Sequence, residues 1–217
     1  MNTISKIHVT LKAAISLDGK IANADGKSKW ITGKLARKKV HEMRRENDAI
    51  LVGINTILVD NPQLNVRNEI NGDSPIRVIL DSKARIPSES RVFKNDGVPV
   101  IIVTGSKATR KIWPKLSDLS IIKAPSETPE VFWVLAELKK FGIKKLLVEG
   151  GSKIHASFLK SRCVNNIALF LAPKIFGDQE ALSWCGNLNI NNLENILQTK
   201  ILSITPLGED LLILTKF

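Results

Sequence analysis

The sequence predicts an α/β fold: a mostly parallel central sheet flanked by helices, with an antiparallel hairpin at the C-terminus. Three observations predict it. Short apolar runs alternate along the 217 residues with segments of helical periodicity, as they do where helices connect parallel strands. The runs are continuous stretches of Val, Ile and Leu, as in strands covered on both faces. The chain ends on "ILSITPLGEDLLILTKF" (201–217), a strand, a turn at Pro206 to Asp210 and a second strand.

The elements follow in order. "KIHVTLKAAI" (6–15) reads as a strand. "GKLARKKVHEMRREN" (33–47) reads as a helix with Thr32 as its N-cap. Ala36, Val40, Met43 and Asn47 share one stripe of it, and the opposite face is basic. "AILVG" (49–53), "IRVIL" (76–80, after Pro75) and "VPVIIVTG" (98–105) read as buried strands. "PEVFWVLAELKKFG" (129–142) reads as a helix ended by Gly142. "IKKLLVEGG" (143–151) is a strand entering a glycine turn, "SKIHASFLK" (152–160) a helix, and "NNIALFLAPKIFG" (165–177) a buried strand. With no repeat, linker or low-complexity tract, one domain over residues 1–217 is expected.

Composition narrows the function classes. At 43% apolar and 24% charged the chain can build a sizeable core. No apolar run approaches the roughly 18 residues of a membrane span, and "MNTISKIHVT" lacks a signal-peptide core. A cytoplasmic location is expected, with Cys163 and Cys185 as reduced thiols. The net charge of +11 favours anionic ligands, and +7 of it lies in residues 27–45. A solvated helix face accounts equally well for that cluster. Nucleic acid is disfavoured: the chain has no tyrosine, few aromatics interleave with the basic residues, and no zinc-finger spacing occurs.

Three segments carry chemistry. In "LLVEGGSKIHASF" a buried strand ends in Glu149 and two glycines before a helix. That arrangement suits a phosphate at a helix N-terminus and equally suits a tight structural turn. It is not the G-x-G-x-x-G fingerprint. "GKSKWITGK" has the wrong spacing for a P-loop, and Leu35 follows Lys34 where a hydroxyl residue is required. No metal site is expected, because His8, His41 and His155 accompany no Cys-x-x-Cys pair and the zinc-deaminase signature is missing. His155 reads as a surface or packing residue, and no G-x-S-x-G elbow is present. In "AILVGINTILVDNPQLNVR", Thr56, Asp60 and Arg67 follow a strand end, placed either to hold a ligand or to cap a helical turn. The third segment is "AAISLDGKIANADGKSKWITG" (13–33), where a strand, two Asp-Gly turns, Ser28 and Trp30 crowd together.

Taken with "PIRVILDS" and "LAPKIFG", these segments resemble, in order, the reductase domain of the bifunctional riboflavin-biosynthesis deaminase/reductase. The resemblance runs from about residue 7 to "GEDLLI" (208–213). It implies a dihydrofolate-reductase-like fold, a homodimer, and NADPH-dependent reduction of the ribosyl group of 5-amino-6-(5-phosphoribosylamino)uracil. By the same resemblance Ala14, Trp30, Thr56, Asp60, Ser82 and the turn Gly151, Ser152, Lys153, Ile154, His155, Ala156, Ser157 fall on cofactor contacts. Ser28, Arg44, Leu64, Arg67 and Glu149 fall on contacts to the phosphorylated pyrimidine, and Lys12 lines the reaction centre. Glu149 is the candidate for stabilising positive charge on the acceptor, and Lys12 for polarising the substrate. Ser82, beside Lys83 and Arg85, suits a 2′-phosphate and hence NADPH over NADH.

The chain starts at the reductase, so a separate deaminase is expected as a partner. The alternatives are a reductase acting before deamination on the 2,5-diamino-6-ribosylamino-pyrimidinone phosphate, a reductase of this fold with another substrate such as dihydrofolate, and a non-catalytic nucleotide-binding protein. Asp178 stands where the family usually carries a second glycine.

Overall fold

The computed structural model describes residues 7–28, 30–67, 73–109 and 112–217. Lys6, Lys29 and the residues between Arg67 and Asp73 lie outside them. In chain order the elements are β1 (His8–Ile15), β2 (Lys20–Ala22), α1 (Lys34–Arg45), β3 (Ala49–Gly53), α2 (Ile54–Asp60), β4 (Ile76–Leu80), β5 (Val100–Thr104), β6 (Leu119–Lys123), α3 (Val131–Lys140), β7 (Lys145–Val148), α4 (Ser152–Lys160), β8 (Asn166–Leu171), β9 (Leu182–Ser183), β10 (Lys200–Leu207) and β11 (Asp210–Lys216).

Among the described residues nine strands form one sheet in the order β10-β11-β8-β1-β7-β3-β4-β5-β6. The pairs from β8 across to β6 are parallel, while β11 runs antiparallel to β8 and to β10. The predicted fold class is the observed one. Chain order reverses at the centre: β1 and β3 are separated by β7, which arrives late and slots between them. A crevice outside the carboxyl ends of the strands is expected where the order reverses.

The registers make that crevice. The β1–β7 ladder ends at Leu11↔Val148 and the β3–β7 ladder at Leu51↔Val148. Strand β1 continues against β8 to Ile15, and β3 against β4 to Gly53. The short β7 therefore leaves a notch between two longer neighbours, and Glu149 stands at its floor.

Side-chain alternation divides the core between the two faces of the sheet. Val9, Leu11, Leu51, Leu146 and Val148 pack with Val134 and Leu138 of α3 and Phe158 and Leu159 of α4. On the other face Ile50, Val52 and Ile79 pack with α2 and the 86–93 segment, and Leu147, Ala168, Phe170 and Leu212 pack under α1. Helix α1 buries Ala36, Val40, His41 and Met43. Alternation along β7 puts Glu149 on the α1 face with Leu147, and alternation along β1 puts Lys12 and Ala14 there as well.

Several predicted boundaries change. Thr32 does not cap α1; Gly33 holds that position without a side-chain cap. Asp210, at the start of β11, accepts the Gly33 N–H at 2.7 Å, so the helix start is stabilised from 177 residues away. Asn47 lies past the end of α1 and folds back to the Met43 carbonyl at 2.7 Å. Strand β8 ends at Leu171 rather than running on to Gly177, and the hairpin turn is confined to Gly208 and Glu209, with Pro206 inside β10. Strands β2, β6 and β9 join the predicted set.

Candidate active site

The last turn of α1 delivers Arg44 to the notch. Its Nε and Nη2 donate to the two oxygens of Glu149 at 2.8 Å each, the bidentate geometry that makes an Arg–carboxylate pair strong and directional. Lys12 of β1 approaches the same carboxylate at 3.8 Å. All three side chains are at most 15% exposed. Lys12 also lies over the Phe170 ring, 5.7 Å from its centroid.

Two buried cations share one buried anion, and the titration behaviour follows. Burial alone would raise the Glu149 carboxyl, but the charges of Arg44 and Lys12 and the Arg44 hydrogen bond outweigh it and hold it down at about 2. Lys12 moves the other way. Burial drives its ammonium below the usual range; Glu149 resists the shift and Arg44 adds to it. The cluster thus holds a firm carboxylate beside an acidified ammonium, with one positive charge in surplus. Glu149, the candidate for stabilising positive charge on the acceptor, has both of its oxygens engaged by Arg44.

Arg44 also donates through Nη1 to the Asn65 carbonyl at 3.1 Å, which ties the 64–67 segment to the cluster. Leu64 is buried with φ of +52°. Arg67 is at the surface of this segment; its guanidinium is lowered by burial and by the charges of Arg44 and Arg91. His41, not singled out from the sequence, lies one turn before Arg44 and accepts the Arg67 backbone N–H at its Nδ1, 3.2 Å away.

A second group of candidates gathers around the glycine turn. A Cβ on Gly150 would come within 2.6 Å of the Val52 Cα and 2.7 Å of the Gly53 nitrogen, so only glycine lets β7 turn this close to β3. Gly151 follows with φ of +68° at the N-cap of α4, where no side chain caps the helix. Helix dipole and backbone N–H groups are left facing the notch. Thr56 of α2 stands opposite, its hydroxyl 3.9 Å from where a Gly151 Cβ would be. A bare glycine turn, a helix N-terminus and a facing hydroxyl fit the phosphates of a dinucleotide.

The remaining candidates divide. Ser28 reaches Asp60, at the end of α2, with an Oγ–Oδ1 distance of 3.3 Å. Ala14 is half-buried two residues beyond Lys12. Trp30 is 66% exposed with Arg37 stacked 4.5 Å from its ring centroid. It borders a groove of about 510 Å³ with Asn23, Lys27, Ser28, Ile31, Lys174, Ile175 and Phe176. Ser82 follows β4, half-buried, and Arg85 donates to Asn55 at the start of α2 at 3.1 Å. Along α4, Ser152 accepts the Gly186 N–H through its carbonyl, Lys153 and Ser157 bond to each other on the exposed side, and Ile154 packs toward Gly53. Ala156 and His155 are buried; the His155 ring meets the Trp184 carbonyl at 2.8 Å. As between a surface and a packing residue, His155 is the latter. Among the described residues no three His, Cys, Asp or Glu side chains converge as a metal site, and no helix is long and apolar enough to cross a membrane.

Comparison with known proteins agrees with this geometry. A profile described as the RibD C-terminal domain matches residues 7–213. The chain belongs to the RibD C-terminal domain family. The riboflavin biosynthesis protein RibD of Aquifex aeolicus is 38% identical over 99% of this chain, which spans 59% of that protein. The 2,5-diamino-6-ribosylamino-4(3H)-pyrimidinone 5′-phosphate reductase of Methanothermobacter thermautotrophicus is 36% identical over 95% of this chain, which spans 96% of it. The crystal structure of a Thermotoga maritima diaminohydroxyphosphoribosylaminopyrimidine deaminase/5-amino-6-(5-phosphoribosylamino)uracil reductase superposes with a TM-score of 0.82 at 34% identity, covering 97% of this chain and 56% of that one. An Enterococcus faecalis dihydrofolate reductase shares the fold alone, with a TM-score of 0.53 at 11% identity. This chain thus has a dihydrofolate-reductase-like sheet, with the Lys12–Glu149–Arg44 cluster and the glycine turn at its carboxyl edge.

Proposed function

We propose that this RibD-type domain reduces the ribosyl group of 5-amino-6-(5-phosphoribosylamino)uracil to the ribityl chain, with NADPH as cofactor. The observation that carries the reading is Lys12: a desolvated ammonium, held by Glu149, on the strand that borders the glycine turn. When bound, NADPH supplies the hydride. The substrate's ribosylamine opens by breaking its C1′–ring-oxygen bond, giving a C1′=N imine and a hydroxyl. Reduction at C1′ leaves the nitrogen needing a proton. Lys12 Nζ donates it and is recharged from water. A lysine of ordinary basicity would be a poor acid near neutral pH; desolvation brings Lys12 closer to the range where proton transfer is efficient. Glu149 holds Lys12 and Arg44 in place, and the surplus positive charge with Arg67 attracts the substrate's phosphate.

A second reading concerns the order of steps. A relative 36% identical to this chain is named for the 2,5-diamino substrate, so reduction before deamination is the alternative order. NADPH oxidation measured with the diamino and the deaminated compounds side by side separates the two. The expected result is turnover of one of them with at least about tenfold preference; turnover of neither overturns the reading. For the cofactor, Ser82, Lys83 and Arg85 favour a 2′-phosphate, so NADPH is expected to bind at least about tenfold tighter than NADH. Equal dissociation constants by fluorescence titration would remove that assignment.

We also propose a homodimer. Edge strand β10 is exposed at every position but Leu207 and carries Ile201, Leu202 and Ile204 with no acidic residue. Monomeric proteins seldom leave such an edge open. Light scattering on the purified chain tests it, with a dimer as the expected mass.

A further inference from the structure

The segment that carries Leu64 and Arg67 is held in an unfavourable shape. Asn61 and Leu64 both adopt left-handed backbone conformations, with φ of +40° and +52°, and Leu64 is a branched, fully buried residue for which this conformation is costly. Such backbone persists only where its surroundings over-determine it. Four ties do so here. Asn61 Oδ1 accepts the Arg91 N–H at 2.8 Å. Arg44 donates to the Asn65 carbonyl at 3.1 Å. Val66 donates to the Ser74 hydroxyl at 3.0 Å. Arg67 donates its backbone N–H to His41 Nδ1 at 3.2 Å.

The last tie shares its anchor, the end of α1, with the Arg44–Asn65 tie. His41 and Arg44 are one turn apart on the same face of α1, so a single rigid helix end grips the Glu149 carboxylate, the Asn65 carbonyl and the Arg67 amide together. We propose that His41 is a positioning residue: its Nδ1 fixes the backbone at Arg67 and thereby sets where the Arg67 guanidinium meets the substrate. The assignment rests on reading Arg67 as a substrate contact, as above. Nδ1 can accept only in the neutral ring with its proton on Nε2. Burial first, then the charges of Arg44 and Arg67, hold the imidazole down at about 4 against the opposing pull of Glu149 and of the Asn65 backbone, so the neutral ring is available near neutral pH. A histidine kept merely for packing would not need its Nδ1 aimed at an amide of a strained turn.

Two variants of the full chain test this. His41→Leu fills the space and removes the acceptor. His41→Asn keeps an oxygen or nitrogen at the position of Nδ1 and restores it. The first readout needs no substrate: hydrogen exchange of the peptide containing the Arg67 amide in the ligand-free protein. His41→Leu is expected to speed it about tenfold, the size of one hydrogen bond, while β3 and β7 stay protected. The second readout is the kinetic split. The KM for the phosphoribosylaminopyrimidine is expected to rise about tenfold while kcat and the NADPH dissociation constant stay within about twofold. His41→Asn is expected to return both readouts to within about threefold of wild type. Unchanged exchange in His41→Leu overturns the proposal, as does a His41→Asn variant as defective as His41→Leu, which would make packing the cause. Loss of NADPH binding together with substrate binding also overturns it, since the effect would then not be confined to the Arg67 side. If His41→Leu does not fold, His41→Asn against wild type decides. If the wild type reduces no phosphoribosylaminopyrimidine, the proposed function fails while the exchange result still judges the clamp.

Discussion

Two buried arginines occupy the same face of the same sheet, and they have opposite surroundings. Arg77, in β4 near the amino edge, is fully buried and meets Asp96 at 2.6 Å and the Val92 carbonyl at 3.1 Å. One cation meets one anion, and only about 10 Å³ of space adjoins Asp96. Burial would raise the Asp96 carboxyl; the hydrogen bond and charge of Arg77 keep it low. Arg44, at the carboxyl edge, shares Glu149 with a second cation, Lys12, and has Arg67 nearby. The first pair is neutral, a buried cation met by one partly exposed anion. The second is an unbalanced cluster beside a notch and a bare helix N-terminus. A buried ion pair by itself is weak evidence of anything but satisfied charge; a surplus buried cation beside a bare helix N-terminus points to an anionic ligand.

The largest combined loss of stability and turnover is expected where the cluster loses its anion. Glu149→Gln leaves Lys12 and Arg44 facing each other in a buried site, and stability is expected to fall by about 3–5 kcal/mol. Turnover is expected to fall roughly 10²–10³-fold, as when one preorganised electrostatic group is removed. Chemical denaturation and steady-state rates on the same preparation measure both.

Asp96→Asn sharpens the contrast. It strands Arg77 and is expected to cost about 3 kcal/mol, while kcat/KM per folded molecule stays at the wild-type value. A rate loss to match the stability loss would erase the distinction between the two pairs.

The most gradual effect is the acid limb of stability. Glu149 titrates at about 2 in the folded protein against an ordinary 4.5, so its contribution is complete above 4.5 and is lost as pH falls toward 2. His41 titrates at about 4 against an ordinary 6.5. The unfolded chain takes up that proton first, so stability falls as pH drops from 6.5 toward 4. The urea midpoint is expected to decline below pH 6.5. In His41→Leu the part of the decline between 6.5 and 4.5 is expected to shrink; an unchanged acid limb would show that His41 is not held neutral.

The sequence made the parallel sheet legible because β1, β3, β4, β5, β7 and β8 are short, predominantly apolar runs. It hid β6, whose Leu119–Lys123 span is largely exposed at the sheet edge, and β2 and β9, which are too short to carry a period. Thr32 satisfied the local rule for an N-cap, and Asp210 overrode it through a contact that only the closed fold creates. The site was partly legible in the same way. Glu149 before two glycines stood out, but its bond to Arg44 spans 105 residues, and nothing local marks either as half of a pair. His41 was hidden because a lone histidine on the buried face of a helix is ordinary. The one signal available was its spacing from Arg44, three residues on, which places both on one face of a helix.

The most direct test of the reaction centre is Lys12→Gln, assayed for turnover at saturating NADPH and phosphoribosylaminopyrimidine, with NADPH binding measured alongside. If Lys12 supplies the proton, kcat is expected to fall by roughly 10²–10⁴-fold while the NADPH dissociation constant stays within about twofold of wild type. A kcat within about twofold of wild type would contradict the account and leave Lys12 as no more than a counter-ion to Glu149.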